Sequence, residues 1–112
     1  MKTLSQQISK PELKDSESLL DGAMVKAVVD VKKEIIAIDA EMHADLEQFL
    51  LENGSEQDDL WGINLWFEEE GDDFIEFDSM INIRPRQRNR SRDVENPEIR
   101  EKIKKVVSKW IK

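Results

Sequence analysis

The clearest strand pattern in this chain is Val25-Lys26-Ala27-Val28-Val29-Asp30-Val31-Lys32-Lys33-Glu34-Ile35-Ile36-Ala37-Ile38. Apolar residues at positions 25, 27, 29 and 31 share one face of a strand, with Lys26 and Asp30 on the other. A polar turn over residues 32–34 leads to a second run rich in β-branched residues. The two runs together predict a β-hairpin.

The same reasoning extends to the residues that follow. Leu46, Phe49 and Leu50 have helical spacing before Asn53-Gly54, which predicts a short amphipathic helix with a glycine stop. Residues 60–67 and 74–83 each place alternate apolar residues on one face, and the acidic turn between them predicts a second hairpin. Trp61 is expected in the core. Trp66 points the other way, so it is either covered by a helix or exposed as a stacking platform or interface anchor, and burial is favoured.

Helices are predicted at both ends of the chain. Ser9 and Glu12 form a capping-box pattern, so a first helix should run to about Leu20. Asn96 and Pro97 suit the start of a last helix, whose apolar stripe is Ile99, Ile103, Val106, Val107, Trp110 and Ile111. The predicted fold class is α+β, in the order α-β-β-α-β-β-α. It has a four-stranded antiparallel sheet made from two hairpins, each followed by a helix, with the helices on one face.

Length and composition predict a single domain over residues 1–112, with a flexible N-terminus at 1–8 and a basic connecting loop at 84–96. The chain has no cysteine, so disulfides and thiolate sites are excluded. Its apolar runs are far shorter than the ~20 residues that span a bilayer, and Met1–Ser5 lacks a signal-peptide pattern. We therefore expect a cytoplasmic protein with no membrane partner.

Charge is unevenly distributed along the chain. Residues up to Ile83 carry 6 Lys/Arg against 21 Asp/Glu, a balance of −15, whereas residues 84–112 carry 11 against 4, a balance of +7. An arginine segment, residues 84–92, has arginine at every second position: Arg84, Arg86, Arg88, Arg90 and Arg92. If this segment is extended, all five guanidinium groups lie on one side, about 6–7 Å apart, and could bind phosphate or carboxylate. Alternatively, the arginines pair with the chain's own acids or solvate a loop.

A second cluster lies where the first hairpin gives way to a helix. Residues 39–47 contain four acids and the only histidine. Glu41, His43, Asp45 and Asp78 are candidate catalytic residues, and His43, Asp45 and Asp78 are candidate ligands of a divalent metal. The structural alternative is favoured, in which Asp39 or His43 caps the helix and acids in its first turn complement the helix dipole. Nucleophile elbows and glycine-rich phosphate loops are absent from the sequence.

Four motifs occur together in the chain: Asp39-Ala40-Glu41-Met42-His43-Ala44-Asp45, Asn53-Gly54-Ser55, Asp59-Leu60-Trp61-Gly62-Ile63-Asn64, and Asn82-Ile83-Arg84-Pro85 with Asn89-Arg90-Ser91. With them, most of the chain resembles a small family of uncharacterised prokaryotic proteins, domain of unknown function 5674. The family has no established activity, so the resemblance implies a grouping and not a function. The family's run is usually Gln-Gly-Asn-Arg-Ser, and Arg88 stands here in place of its glycine. Because of this departure, Arg84, Asn89 and Arg90 are better candidates for a functional role than the full set of five arginines.

These observations lead to two hypotheses of function. The first is a small, non-enzymatic binding or regulatory protein without a cofactor, in which Arg84, Asn89, Arg90 and Ser91 bind an anionic partner, either an acidic protein or nucleic acid. The alternative is a metal-assisted hydrolase or nuclease, in which Glu41, His43, Asp45 and Asp78 converge near Arg84 and Arg90. Because the acidic and basic parts are complementary, the charge distribution also predicts a homo-oligomer.

Overall fold

An antiparallel sheet forms the centre of the computed structural model, which describes residues 1–13, 19–20 and 24–112. Its strands are β1 (Lys2–Thr3), β2 (Leu19–Leu20), β3 (Met24–Asp30), β4 (Ile35–Ile38), β5 (Leu60–Trp66) and β6 (Ile75–Glu76). The order across the sheet is β1-β4-β3-β5-β6, and β2 also pairs with β3. The helices are α1 (Lys10–Leu13), α2 (His43–Glu52) and α3 (Pro97–Trp110). The α+β class is confirmed, but the prediction of four strands is wrong.

The first hairpin is confirmed as β3 and β4, paired from Val28 opposite Ala37 to Asp30 opposite Ile35. The buried Asp30 holds its turn. One carboxylate oxygen accepts hydrogen bonds from the Lys32 and Lys33 amides, both at 2.9 Å. The other accepts from the Ser55 hydroxyl at 2.6 Å, which ties the turn to the loop after α2.

The second hairpin is shorter than the sequence predicts. β5 forms, but β6 has two residues, paired with Asn64 and Leu65, and residues 80–82 make a 3-10 turn. Beyond β6, a side chain replaces the missing strand. The Asn82 amide accepts from Gly62 N at 2.8 Å and donates to Gly62 O at 3.0 Å. The close approach requires glycine, since a Cβ on Gly62 would lie 2.6 Å from Ser79 Cβ.

The N-terminal region also differs from the prediction. The capping box forms, with the Ser9 hydroxyl accepting from the Glu12 amide at 3.3 Å. However, α1 as described ends at Leu13. The rest of the predicted helix falls partly on residues 14–18, outside the described residues, and partly on β2, which is a strand. Residues 1–8, expected to be a flexible N-terminus, contribute β1, and Leu4 is buried.

The prediction that the helices share one face of the sheet is wrong. α3 packs its Ile103, Val106 and Val107 into the core formed by odd-numbered β3 and β5 residues, including Trp61. α2 packs Leu46 and Leu50 on the opposite face, against Val28, Ala37 and Leu60. Side chains alternate between the faces of a strand, so the two clusters lie on opposite sides of the sheet. The sheet is therefore the middle of three layers. None of the described helices is long and apolar enough to cross a membrane.

Candidate functional site

The arginine segment is folded rather than extended. Residues 85–87 form a 3-10 turn, Arg88 adopts a left-handed conformation with φ of 60°, and Arg84 pairs back onto Asn89. Alternate arginines therefore do not line one side. The geometry on which the predicted phosphate site depended is not present.

Arg84 points into the protein. It is 5% exposed, and its guanidinium donates hydrogen bonds to the Gln57 and Leu60 carbonyls. The same group stacks on the Trp61 ring at 4.1 Å from the centroid. Burial lowers the pKa of Arg84, and the nearby Glu47 opposes this effect. Arg84 thus joins the start of β5 to the loop before it.

Asn89 is also used internally. Its side-chain amide donates to the carbonyls of Asn82 and Asp93, both at 2.7 Å, and its oxygen accepts from the Glu95 amide at 2.8 Å. At 2% exposure, Asn89 has little surface to offer to an external anion. The hydrogen bonds of the Asn89 side chain therefore fix the conformation of the loop between β6 and α3.

Arg90 and Ser91 already surround an anion. The backbone amides of Arg90 and Ser91 donate to one Glu95 carboxylate oxygen at 2.8 and 3.0 Å, and the Ser91 hydroxyl donates to the same oxygen at 2.9 Å. The Ser91 hydroxyl, followed by these amides, holds the pKa of Glu95 below its usual value. The chain's own carboxylate fills the position expected for an external anion.

Two further arginines of the segment pair with acids earlier in the chain. Arg86 contacts Asp58, and Arg92 Nε lies 2.6 Å from Asp78 Oδ1. These contacts match the alternative in which the segment neutralises the protein's own acids. Arg88 has no side-chain hydrogen bond or ion pair to the described residues.

The acidic cluster around His43 does not converge. Glu41 and Asp45 are exposed, whereas His43 is buried as the first residue of α2. Neither Asp39 nor His43 caps the helix, because the N-cap is Met42 and makes no side-chain cap bond. No group of three or more His, Cys, Asp or Glu residues suited to a metal ion occurs within residues 1–13, 19–20 and 24–112.

The His43 ring is fixed by the sheet. Its Nε2 lies 2.8 Å from the Ile63 carbonyl, and a carbonyl only accepts, so Nε2 carries the hydrogen. Burial lowers the pKa of His43; Lys26 and Arg92 lower it further, while the Ile63 bond and Asp78 raise it. His43 is therefore neutral near pH 7, with the lone pair on Nδ1.

His43 and Asp78 nevertheless line one cavity, of about 380 Å³, which we call the His43 cleft. It lies on the α2 side of the sheet. α2 covers the end that contains Val28 and Leu60. Even-numbered residues of β3 and β5 at the other end, Lys26, Asn64 and Trp66, line the cleft. Its lining consists of Met24, Lys26, Met42, His43, Ala44, Asn64, Trp66, Glu76, Asp78, Ser79, Met80, Ile81 and Arg92.

Four ionised side chains line the His43 cleft: Lys26, Glu76, Asp78 and Arg92. Arg92 pairs with Asp78, and the Asn64 side-chain nitrogen donates to Glu76 at 2.7 Å. The half-buried Lys26 has no hydrogen-bond or ion-pair partner in the described part of the chain. The Asn64 side-chain oxygen is buried and accepts no hydrogen bond there either. Within the described residues, the cleft thus holds one cation without a partner, one carboxylate, Glu76, that is hydrogen-bonded by a neutral amide rather than paired with a cation, and one unsatisfied acceptor.

Comparison with known proteins identifies the family. Residues 2–110 match the family model described as Protein of unknown function (DUF5674). The chain belongs to this family. No curated protein and no solved structure matched this DUF5674 chain.

Sequence reasoning missed most of the cleft in this DUF5674 fold. Lys26 and Asn64 each lie between apolar residues, and this pattern predicts side chains on the solvent-facing side of a strand. Trp66, for which burial was favoured, is half-buried in the cleft. The available signal was a polar and aromatic mixture on the even-numbered faces of β3 and β5. To infer a cleft from this mixture, one must know that Lys26 lies opposite Asn64 and Met24 opposite Trp66. That information comes from the register of β3 and β5, which the sequence alone does not determine.

Proposed function

We propose that this protein is a small, non-enzymatic binding protein that takes an anionic ligand in the His43 cleft. The observation that carries the proposal is Lys26, a half-buried cation without a hydrogen-bond or ion-pair partner among residues 1–13, 19–20 and 24–112. Removing an ammonium group from water is unfavourable unless an opposite charge compensates it. A bound anion would supply that charge.

The neighbouring groups favour Lys26 as the contact. Asp78 pairs with Arg92, and within the described residues neither Asp78 nor Glu76 forms an ion pair with Lys26. His43 is neutral near pH 7 and adds no charge of its own. The four ionised side chains of the lining, Lys26 and Arg92 against Glu76 and Asp78, sum to zero formal charge, whereas the chain as a whole has a net charge of −8.

The proposal keeps the anionic ligand expected from the sequence but changes its location. Arg84 and Asn89 are buried in internal bonds, and Arg90 and Ser91 surround Glu95. Arg92 is common to the site predicted from the sequence and the site proposed here, because it belongs to the arginine segment and also lines the His43 cleft.

The alternative, a metal-assisted hydrolase or nuclease, has less support. It needs four side chains to converge, and of these His43 and Asp78 line the cleft while Glu41 and Asp45 are exposed outside its lining. In addition, the Nε2 atom of His43 is committed to Ile63. A site of this kind would have to use Nδ1 of His43 with Asp78, whose carboxylate pairs with Arg92.

The test is a titration with acetate and with inorganic phosphate, followed by amide NMR shifts. We expect saturable shifts at Lys26 and Asn64 in the parent, and their loss in Lys26→Met, which keeps most of the apolar stem. Lys102→Met removes the same charge from an exposed position on α3 and should leave the shifts unchanged.

Two results would overturn the proposal: no saturable shift in the parent, or an unchanged titration in Lys26→Met. Mn²⁺ provides the test of the alternative. Selective paramagnetic broadening at His43 and Asp78, abolished by Asp78→Asn, would favour the metal-assisted hydrolase.

A further inference from the structure

The walls of the His43 cleft specify more than a charge. Three of the four methionines in the chain, Met24, Met42 and Met80, line it. Met42 is 56% exposed and Met80 is 67% exposed, so both thioether side chains stand largely in water beside the cleft. Methionine is flexible and polarisable, and it adapts to apolar groups of different shape.

Trp66 adds an aromatic surface to the same cleft. It lies half-buried at the end of β5, paired with Met24 on β3, and Ile81 also lines the cavity. An indole face is well suited to stacking on a planar or aliphatic group. The cleft is therefore apolar along the Trp66 and methionine side and cationic at Lys26.

The charge of the ligand follows from what surrounds Lys26. Lys26 is the cation of the lining that has no ion-pair partner in the described part of the chain, and a single cation balances a single negative charge. Glu76 and Asp78 line the same cavity, and the chain has a net charge of −8, so a dianion would meet repulsion that a monoanion largely avoids. A carboxylate fits this condition better than a phosphate monoester, which is largely dianionic near pH 7.

Resting on the proposed function, we infer that the ligand is an amphipathic monocarboxylate. Its carboxylate pairs with Lys26, and its aromatic or aliphatic body lies against Trp66, Met42 and Met80. Such a group occurs in a free organic acid and at the C-terminus of a peptide that ends in an apolar residue. The cavity of about 380 Å³ lies within the range of roughly 300–1,000 Å³ typical of small-ligand sites.

The experiment compares three probes that separate charge from apolar body. These are 3-phenylpropionate, its uncharged amide, and acetate. We expect 3-phenylpropionate to bind the parent at least about tenfold more tightly than either of the others, because it alone satisfies both parts of the cleft. Methyl signals of ¹³C-labelled methionine report the location: Met24, Met42 and Met80 should shift, and Met1 provides an internal control.

Variants at exposed positions test the apolar wall without disturbing the core. Met42→Gln with Met80→Gln should weaken 3-phenylpropionate several-fold and leave acetate unchanged. Met1→Gln, at a methionine that is 59% exposed and outside the cleft, should change neither.

The outcomes separate this inference from the proposed function. Equal binding of acetate and 3-phenylpropionate would overturn the amphipathic ligand while leaving an anion site at Lys26. Binding of the amide as tightly as the acid would overturn both, as would binding of none of the probes.

A peptide ending in phenylalanine, with a free or an amidated C-terminus, distinguishes the two sources of the carboxylate, a free organic acid and a peptide C-terminus. Preference for its free carboxylate supports a peptide ligand, and binding of the small acid without the peptide supports an organic acid.

Discussion

Arg84 is a charged residue whose surroundings give it a structural role. Its guanidinium satisfies two carbonyls and covers one face of Trp61, so its removal leaves acceptors unpaired in a buried region. Arg84→Gln should therefore lower the free energy of unfolding by about 2–4 kcal/mol in urea denaturation. The matched change Arg90→Gln, at an exposed arginine, should cost less than about 0.5 kcal/mol. Equal effects of the two changes would contradict this assignment.

Arg88 occupies a backbone conformation that suits glycine. Its φ of 60° is left-handed, a region that costs a residue with a Cβ roughly 1–2 kcal/mol. The family resemblance places a glycine at this position, and the turn supplies the physical reason. We expect Arg88→Gly to be more stable than Arg88→Ala by about 1 kcal/mol, measured by thermal unfolding. An alanine variant as stable as the glycine variant would show that the turn relaxes.

At the scale of elements, Asn82 completes an interrupted sheet edge. Its side chain pairs with both backbone groups of Gly62, as a neighbouring strand would. Asn82→Ala should lower the free energy of unfolding by about 2–3 kcal/mol and speed hydrogen exchange at the Gly62 amide. Asn53→Ala, which removes an exposed asparagine with one bond to Phe49, should cost less than about 1 kcal/mol. Unchanged exchange at Gly62 would rule out this role for Asn82.

The sequence predicted those elements whose signals are local. The β3–β4 hairpin, α2 and α3 follow from periodicity, turn residues and the Asn96 cap, which accepts from the Glu98 amide at 2.8 Å. The end of β6 could not be predicted in this way, because Ile81 and Ile83 continue the strand pattern while Asn82 acts through a contact 20 residues away. Likewise, no local signal tells which sheet face α2 or α3 covers. That choice depends on long-range packing.

His43 links α2 to β5 and makes this link sensitive to pH. Burial lowers its pKa in the folded protein, whereas an unfolded histidine titrates near about 6.5. Between these two pKa values the unfolded chain binds more protons, so the free energy of unfolding falls as pH drops below about 6.5. The loss levels off below the folded pKa. Lys26 and Arg92 strengthen the effect, while Asp78 and the Ile63 carbonyl oppose it.

The corresponding prediction is a difference between two proteins. His43→Gln does not titrate and can still donate to the Ile63 carbonyl. Its free energy of unfolding should fall less than that of the parent between about pH 7.5 and 5.5. Urea denaturation at several pH values measures both slopes, and contributions from the carboxylates cancel in the comparison. Identical slopes would mean that His43 is not protonated on unfolding in this range.

For the whole molecule, much of the charge complementarity is used within one chain. Arg86 and Asp58, Arg92 and Asp78, and Lys104 and Asp72 each join the basic C-terminal part to the acidic part before it. These exposed pairs contribute little stability individually. They do, however, reduce the basic surface that could contact a second copy.

The homo-oligomer stays a prediction, and fewer basic residues are available for it than the charge distribution along the sequence suggested. Arg88 and Arg90 are exposed and carry no side-chain hydrogen bond or ion pair within the described residues, so they are the cations of the segment left to meet an acidic face of another copy. Contacts of this kind weaken as the Debye length shortens from about 30 Å at 0.01 M salt to about 3 Å at 1 M. Light scattering should therefore give a mass above 13.1 kDa at low salt that falls to 13.1 kDa at high salt. Replacing both Arg88 and Arg90 with Gln should give the monomer mass at low salt as well. A parent mass of 13.1 kDa under both conditions would show that complementary charge does not assemble this protein.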